Sequence, residues 1–188
     1  MPDSKIITRR LLNKFIEQQK LSGAVAFLRF LIKKNNLRSF YSFLGGGSYL
    51  PVAPDQASKS VLFHGSQKKQ SVLVPSASVA RGGKAERQRR VYATDDPNYA
   101  IFLAVLRLRN GSASVNVTRR GTALTVDLDF INGPSKLKDG YVHIVADTAF
   151  KRAGNREYTA DRRIEVLFTI PVTPQDLTVP IYVQTESL

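Results

Sequence analysis

From Ser114 onward the chain is a succession of short apolar runs broken by turn residues. Residues 122–130 alternate with period two. Leu124, Val126, Leu128 and Phe130 fall on one face, and Thr125, Asp127 and Asp129 on the other, the pattern of a strand buried on one side. The two aspartates read as part of an exposed polar face. Residues 114–117, 141–146, 157–159, 164–172 and 178–183 read as further strands, and Asn132, Gly133 and Pro134 as a turn. Runs of strands with few helices predict an α+β fold with mixed or antiparallel sheets. The 188 residues suffice for one ordinary domain with a helical appendage.

That appendage is expected at the front. Residues 4–20 carry Ile7, Leu11, Leu12, Phe15 and Ile16 at helical spacing, with Ser4 as a cap. Ser22 is placed to cap a second helix through Lys34, burying Val25, Phe27, Leu28, Leu31 and Ile32, with Asn35 and Asn36 as its stop. The boundaries that follow are a basic helical hairpin over 1–44, a linker over 45–60 and the main domain over 61–188. Gly45, Gly46, Gly47 and Ser48 form a joint rather than a phosphate loop, because no Lys-Ser or Lys-Thr follows them. The hairpin reads as a solvated basic face, ahead of a docking element for nucleic acid or a partner and of a basic amphipathic surface lying on a membrane.

Charge narrows the partners. The formal net charge is +13, which favours an anionic partner such as nucleic acid, a nucleotide or an acidic protein. The chain has no cysteine, which excludes disulfides and thiolate metal sites, and His64 and His143 alone leave little for zinc. No metal is expected. Neither a secretory signal nor a membrane-length apolar run is visible, so the expectation is a soluble, cytoplasmic protein without a membrane span.

Three blocks carry candidate chemistry. Val61, Leu62 and Phe63 deliver His64, Gly65 and Ser66 at a strand end, where the glycine permits a close backbone approach. Taken alone, these residues read as a strand end with a satisfied histidine rather than as a ligand site. Residues 91–94 form a second short strand containing Tyr92. Asp95, Asp96 and Pro97 then start a helix expected to reach about Leu108, with Ala100, Ile101, Ala104, Val105 and Leu108 inward and Asn110-Gly111 closing it. Asn155, Arg156, Glu157 and Tyr158 precede the third. Between the first two blocks lies a charged loop with Arg81, Lys84, Arg87, Arg89 and Arg90 against Glu86.

In this order the blocks resemble the ADP-ribosyltransferase superfamily, in the His-Tyr-Glu branch that includes diphtheria toxin and the poly(ADP-ribose) polymerases. The resemblance covers residues 61–172 and leaves out the N-terminal helices. It implies a split β-sandwich and NAD as co-substrate, with ADP-ribose passed to a protein or nucleic-acid acceptor. It also implies roles. Gly65 and Ser66 would hold the nicotinamide amide, and His64 the adenosine ribose. Tyr92 would cover one face of the nicotinamide ring and Tyr99 the other, although Tyr99 lies closer to Tyr92 than in the polymerases. Glu157 would bind the reacting ribose and stabilise its developing positive charge, with Glu165 as the competing glutamate. Arginine-modifying members carry an acidic residue two positions before the glutamate; Asn155 stands there, which disfavours arginine as acceptor. The basic loop would meet the NAD pyrophosphate or an anionic acceptor. The rival expectation is an inactive transferase-like fold that binds nucleic acid or a nucleotide without turnover.

Overall fold

The computed structural model describes residues 5–32, 34–44, 60–76, 89–109, 113–118 and 121–184. The chain enters on a short strand, β1 (Lys5–Ile6), before helix α1 (Arg9–Gln18). Thr8, not Ser4, caps α1 by accepting from the Leu11 amide. Helix α2 (Ala24–Leu31) follows Gly23, whose φ of 104° suits a residue without Cβ. Helix α3 (Lys34–Phe43) comes next. Three helices therefore replace the expected hairpin, and Ser22 is not a cap. Asn35 and Asn36 lie inside α3 rather than ending a helix. The Asn36 side-chain amide donates to the carbonyl of Phe30 near the end of α2, at 2.9 Å.

The strand-rich part runs β2 (Val61–Ser66), β3 (Val72–Leu73), β4 (Val91–Thr94), α4 (Pro97–Val105), β5 (Leu106–Arg107), β6 (Ala113–Thr118) and β7 (Gly121–Asp127). It continues through α5 (Leu128–Asn132), β8 (Lys136–Leu137), β9 (Gly140–Ala146), β10 (Lys151–Arg152), β11 (Glu157–Ala160), β12 (Ile164–Glu165), β13 (Phe168–Val172) and β14 (Ile181–Gln184). Several boundaries differ from the periodic reading. Helix α4 stops at Val105 because Leu106 and Arg107 pair with Leu137 and Lys136, and Leu108 is exposed. The alternating run ends at Asp127, whose carboxylate accepts from the Phe130 amide and caps α5. Leu128 is consequently exposed while Phe130 stays buried. Residues 164–172 are not one strand. The chain switches partners at Val166 and Leu167, whose amides donate to Ser71 and Ile144.

The fold is α+β with mostly antiparallel sheets. The main sheet has seven strands in the order β1-β13-β9-β2-β4-β11-β10, parallel only at β1–β13. A three-stranded sheet, β14-β7-β6, packs beyond α4. This helix is apolar nearly all round because it is covered on both sides. Ala100, Ile101, Ala104 and Val105 join the main core, and Phe102 joins Leu124, Val126 and Phe130. Opposite α4, Leu62, Val91, Ala93, Val145 and Ala160 pack beneath Leu73, Ile164 and Val166. No helix among the described residues is long and apolar enough to cross a membrane.

The N-terminal helices share the core of the sheet. Phe15, Phe27, Phe40 and Phe168 form one aromatic cluster, with Phe40 4.8 Å from Phe15, 4.9 Å from Phe27 and 5.1 Å from Phe168 between ring centroids. Arg9 adds a bidentate pair to Asp176 at 2.7 Å. Residues 5–44 are thus built onto β13, and Phe40→Ala should cost about 3 kcal/mol or more. Because the helices and sheet share this core, urea unfolding should remain one transition shifted to lower urea. Two separated transitions would mean that the helices fold on their own.

Candidate active site

Strand order brings β2, β4 and β11 side by side, all antiparallel. Thr94 stands opposite Phe63 on one flank and Glu157 on the other, and Tyr92 stands opposite Thr159. Directly opposed residues share a face, so Tyr92, Thr94 and Glu157 project to the face that carries Phe63 and α4. His64, one residue past Phe63, projects to the other face beside His143. His64 and Glu157 thus occupy the two strands flanking β4 from opposite faces and are not bonded to each other.

Phe63–Thr94 is the one paired position between β2 and β4, so the ladder stops where His64, Gly65 and Ser66 begin. The His64 ring bridges the strands instead. Its Nδ1–H donates to the Tyr92 carbonyl at 2.7 Å, which leaves Nε2 as an acceptor with no partner among the described residues. His143 is fully buried: its Nε2–H donates to the Lys68 carbonyl at 3.0 Å and its Nδ1 accepts from the Thr169 hydroxyl at 2.8 Å. The two imidazoles stack at 5.9 Å. Burial pushes both down to about 4.

A depressed histidine favours the neutral ring in the folded state. Its contribution is complete above the unfolded value near 6.5 and is lost as pH falls toward 4, because the unfolded chain takes up protons first. The loss should reach roughly 3 kcal/mol for each ring across that window. Urea titrations between pH 7 and 4 should show it, with a shallower slope in His143→Gln. Equal slopes in the two proteins would show that His143 does not titrate differently on folding.

Gly65 faces α4. A Cβ there would overlap the Ala100 carbonyl oxygen and sit 2.7 Å from the Ala104 amide. On this side the close approach expected from the sequence is made by the protein's own helix, which also lies on Gly140. Ser66 Oγ accepts from the Lys68 amide at 3.1 Å and from Gln70 at 3.2 Å, and its own proton is left to donate. At the next residue, Gln67 Nε2 is the buried side-chain polar atom with no partner among the described residues.

Glu157 is half-buried at the start of β11, and the Tyr99 hydroxyl donates to its Oε2 at 3.3 Å. Helix α4 places Tyr99: Asp96 caps the helix by accepting from the Tyr99 amide at 3.1 Å, and Pro97 follows as expected. The same two aspartates hold the residues around Glu157. Arg156 donates from Nε to Asp95 at 2.8 Å and from Nη1 to Asp96 at 2.9 Å, and the Tyr158 hydroxyl donates to Asp95 at 3.2 Å. In the sequence, Asp95 and Asp96 read only as a helix start and Arg156 only as a neighbour of Glu157. The signal for the network was an aspartate pair facing a lone arginine, which linear spacing does not connect.

Glu165, the competing glutamate, is exposed on β12, opposite Val72 of the two-stranded β3–β12 ribbon. Asn155 is exposed. Asp127 and Asp129 do not share a strand face, since one caps α5 and the other lies within it. Of the basic loop, Arg81, Lys84 and Arg87 lie outside the described residues. Arg89 is exposed, and Arg90 forms a backbone bridge with Ser76.

The chain matches no protein-family model, and comparison with curated proteins and with solved structures finds no similar one.

Proposed function

We propose that the protein cleaves NAD and transfers its ADP-ribose to an acceptor. One observation carries this reading: the strands bearing His64, Tyr92 and Glu157 are neighbours, and their ladder is interrupted beside Gly65. Unused hydrogen-bonding groups border that gap on the face of His64, namely the Ser66 proton and the lone pair on His64 Nε2. On the face of Glu157, Tyr92 and Tyr99 supply aromatic surface for a planar ring.

The chemistry assigned to Glu157 follows from its charge and surroundings. When the nicotinamide–ribose C–N bond breaks, its electron pair leaves with nicotinamide and the ribose carbon becomes cationic. A carboxylate held by Tyr99 stabilises that charge as it develops and orients the ribose hydroxyl. The acceptor nucleophile then bonds to the ribose carbon and gives up a proton to solvent. The basic loop is assigned to the anionic pyrophosphate or to an anionic acceptor.

Incubation with NAD labelled in its adenylate half tests the reading. Free nicotinamide should appear, and the label should pass to acceptor or to free ADP-ribose. NAD binding without nicotinamide release would leave the rival, a binding protein of the same fold.

A further inference from the structure

We propose that Arg156 is a positioning residue for Glu157: it clamps the turn before β11 onto the start of α4, so that the carboxylate meets Tyr99. This rests on the catalytic role proposed for Glu157. Arg156 has a φ of 58°, the left-handed region that residues with a Cβ enter at a cost. A solvent-exposed ion pair offers too little to hold such a conformation. What holds it is a two-pronged contact. The guanidinium spans the carboxylates of Asp95 and Asp96, and the Asp96 side chain is only 4% exposed.

The contacts bracket Glu157 on both sides. Asp95 accepts from Arg156 before it and from Tyr158 after it. Asp96 accepts from Arg156 with one oxygen and sets the Tyr99 amide with the other. The backbone closes the same turn, because the amides of Ala153 and Gly154 both donate to the Glu157 carbonyl, at 2.9 and 3.2 Å. Glu157 and its partner Tyr99 are therefore referred to one pair of carboxylates. Arg156 also supplies the positive charge shared by the neighbouring carboxylates of Asp95 and Asp96. A lysine, with its point charge, does not reproduce a fork that reaches two carboxylates at once.

The test compares wild type with Arg156→Gly and Arg156→Lys. Glycine accepts the left-handed backbone, so the first variant removes the guanidinium without straining the turn. Amide hydrogen exchange at Ala153 and Gly154 should quicken by about tenfold or more in Arg156→Gly. Nicotinamide release should fall about 10- to 100-fold in kcat with KM for NAD nearly unchanged, the sign of a misplaced catalytic group. Arg156→Lys should fall between. Unchanged exchange in Arg156→Gly would overturn the clamp whatever the turnover. Faster exchange with unchanged kcat would overturn its positioning role while the ADP-ribosyltransferase reading stands. Faster exchange in a protein that releases no nicotinamide even as wild type would leave the clamp in place and remove the catalytic reading.

Discussion

Glu157→Gln should bind NAD within about threefold of wild type and release nicotinamide roughly 10²- to 10³-fold more slowly. The amide keeps the volume of the carboxylate and can still accept from the Tyr99 hydroxyl, which donates to Oε2 in the wild type at 3.3 Å. What it lacks is the negative charge that favours the cationic ribose over the bound ground state. The loss should therefore appear in kcat rather than KM. Calorimetry and nicotinamide release on the same preparation separate the two terms. Glu165→Gln is the control, since Glu165 is exposed on a different ribbon. Loss of turnover in Glu165→Gln with retention in Glu157→Gln would assign the reaction to the other glutamate.

Gly65→Ala should be among the most destabilising single-methyl additions in the molecule, costing about 3 kcal/mol or more. The added carbon meets the backbone of α4, the Ala100 carbonyl and the Ala104 amide, and backbone within a buried helix cannot rotate aside as a side chain does. Relief requires α4 to lift from β2, which would also unseat Tyr99 from Glu157. Ser66→Ala, one residue further, adds no volume and loses only the acceptor for the Lys68 amide and Gln70, a cost of about 1 kcal/mol. Urea unfolding distinguishes them. A Gly65→Ala variant as stable as wild type would show that α4 does not rest on β2 as closely as described.

The same glycine shows what was legible in the sequence. That Gly65 permits a close backbone approach is readable from a glycine at the end of an apolar run. What presses on it is not, because the neighbour is a helix more than thirty residues away in the chain. Strand β4 and the Asp96-Pro97 helix start were readable to the residue, since cap chemistry is local. The end of α4 was not. Leu106 and Leu108 continue the helical spacing, and only pairing with β8 draws the chain into a strand. Leu128 fits a two-residue period as well as it fits the exposed side of a capped turn, and the Asp127 side chain decides between them. The front of the chain misled for a similar reason. Ile7 fits the spacing of α1, but Lys5 and Ile6 pair with β13, so the helix waits for Thr8. Of the candidate site, His64, Tyr92 and Glu157 were visible as residue types in order. His143 and the Asp95–Arg156–Asp96 network arise from pairing across strands and left no mark on linear spacing.

NAD should lie where the β2–β4 ladder stops, and a crystal structure of Glu157→Gln grown with saturating NAD tests this. The nicotinamide ring should lie between Tyr92 and Tyr99, on the face of the sheet that carries α4, with the nicotinamide ribose beside residue 157. NAD bound elsewhere on the molecule, or crystals of this variant that hold none, would contradict it.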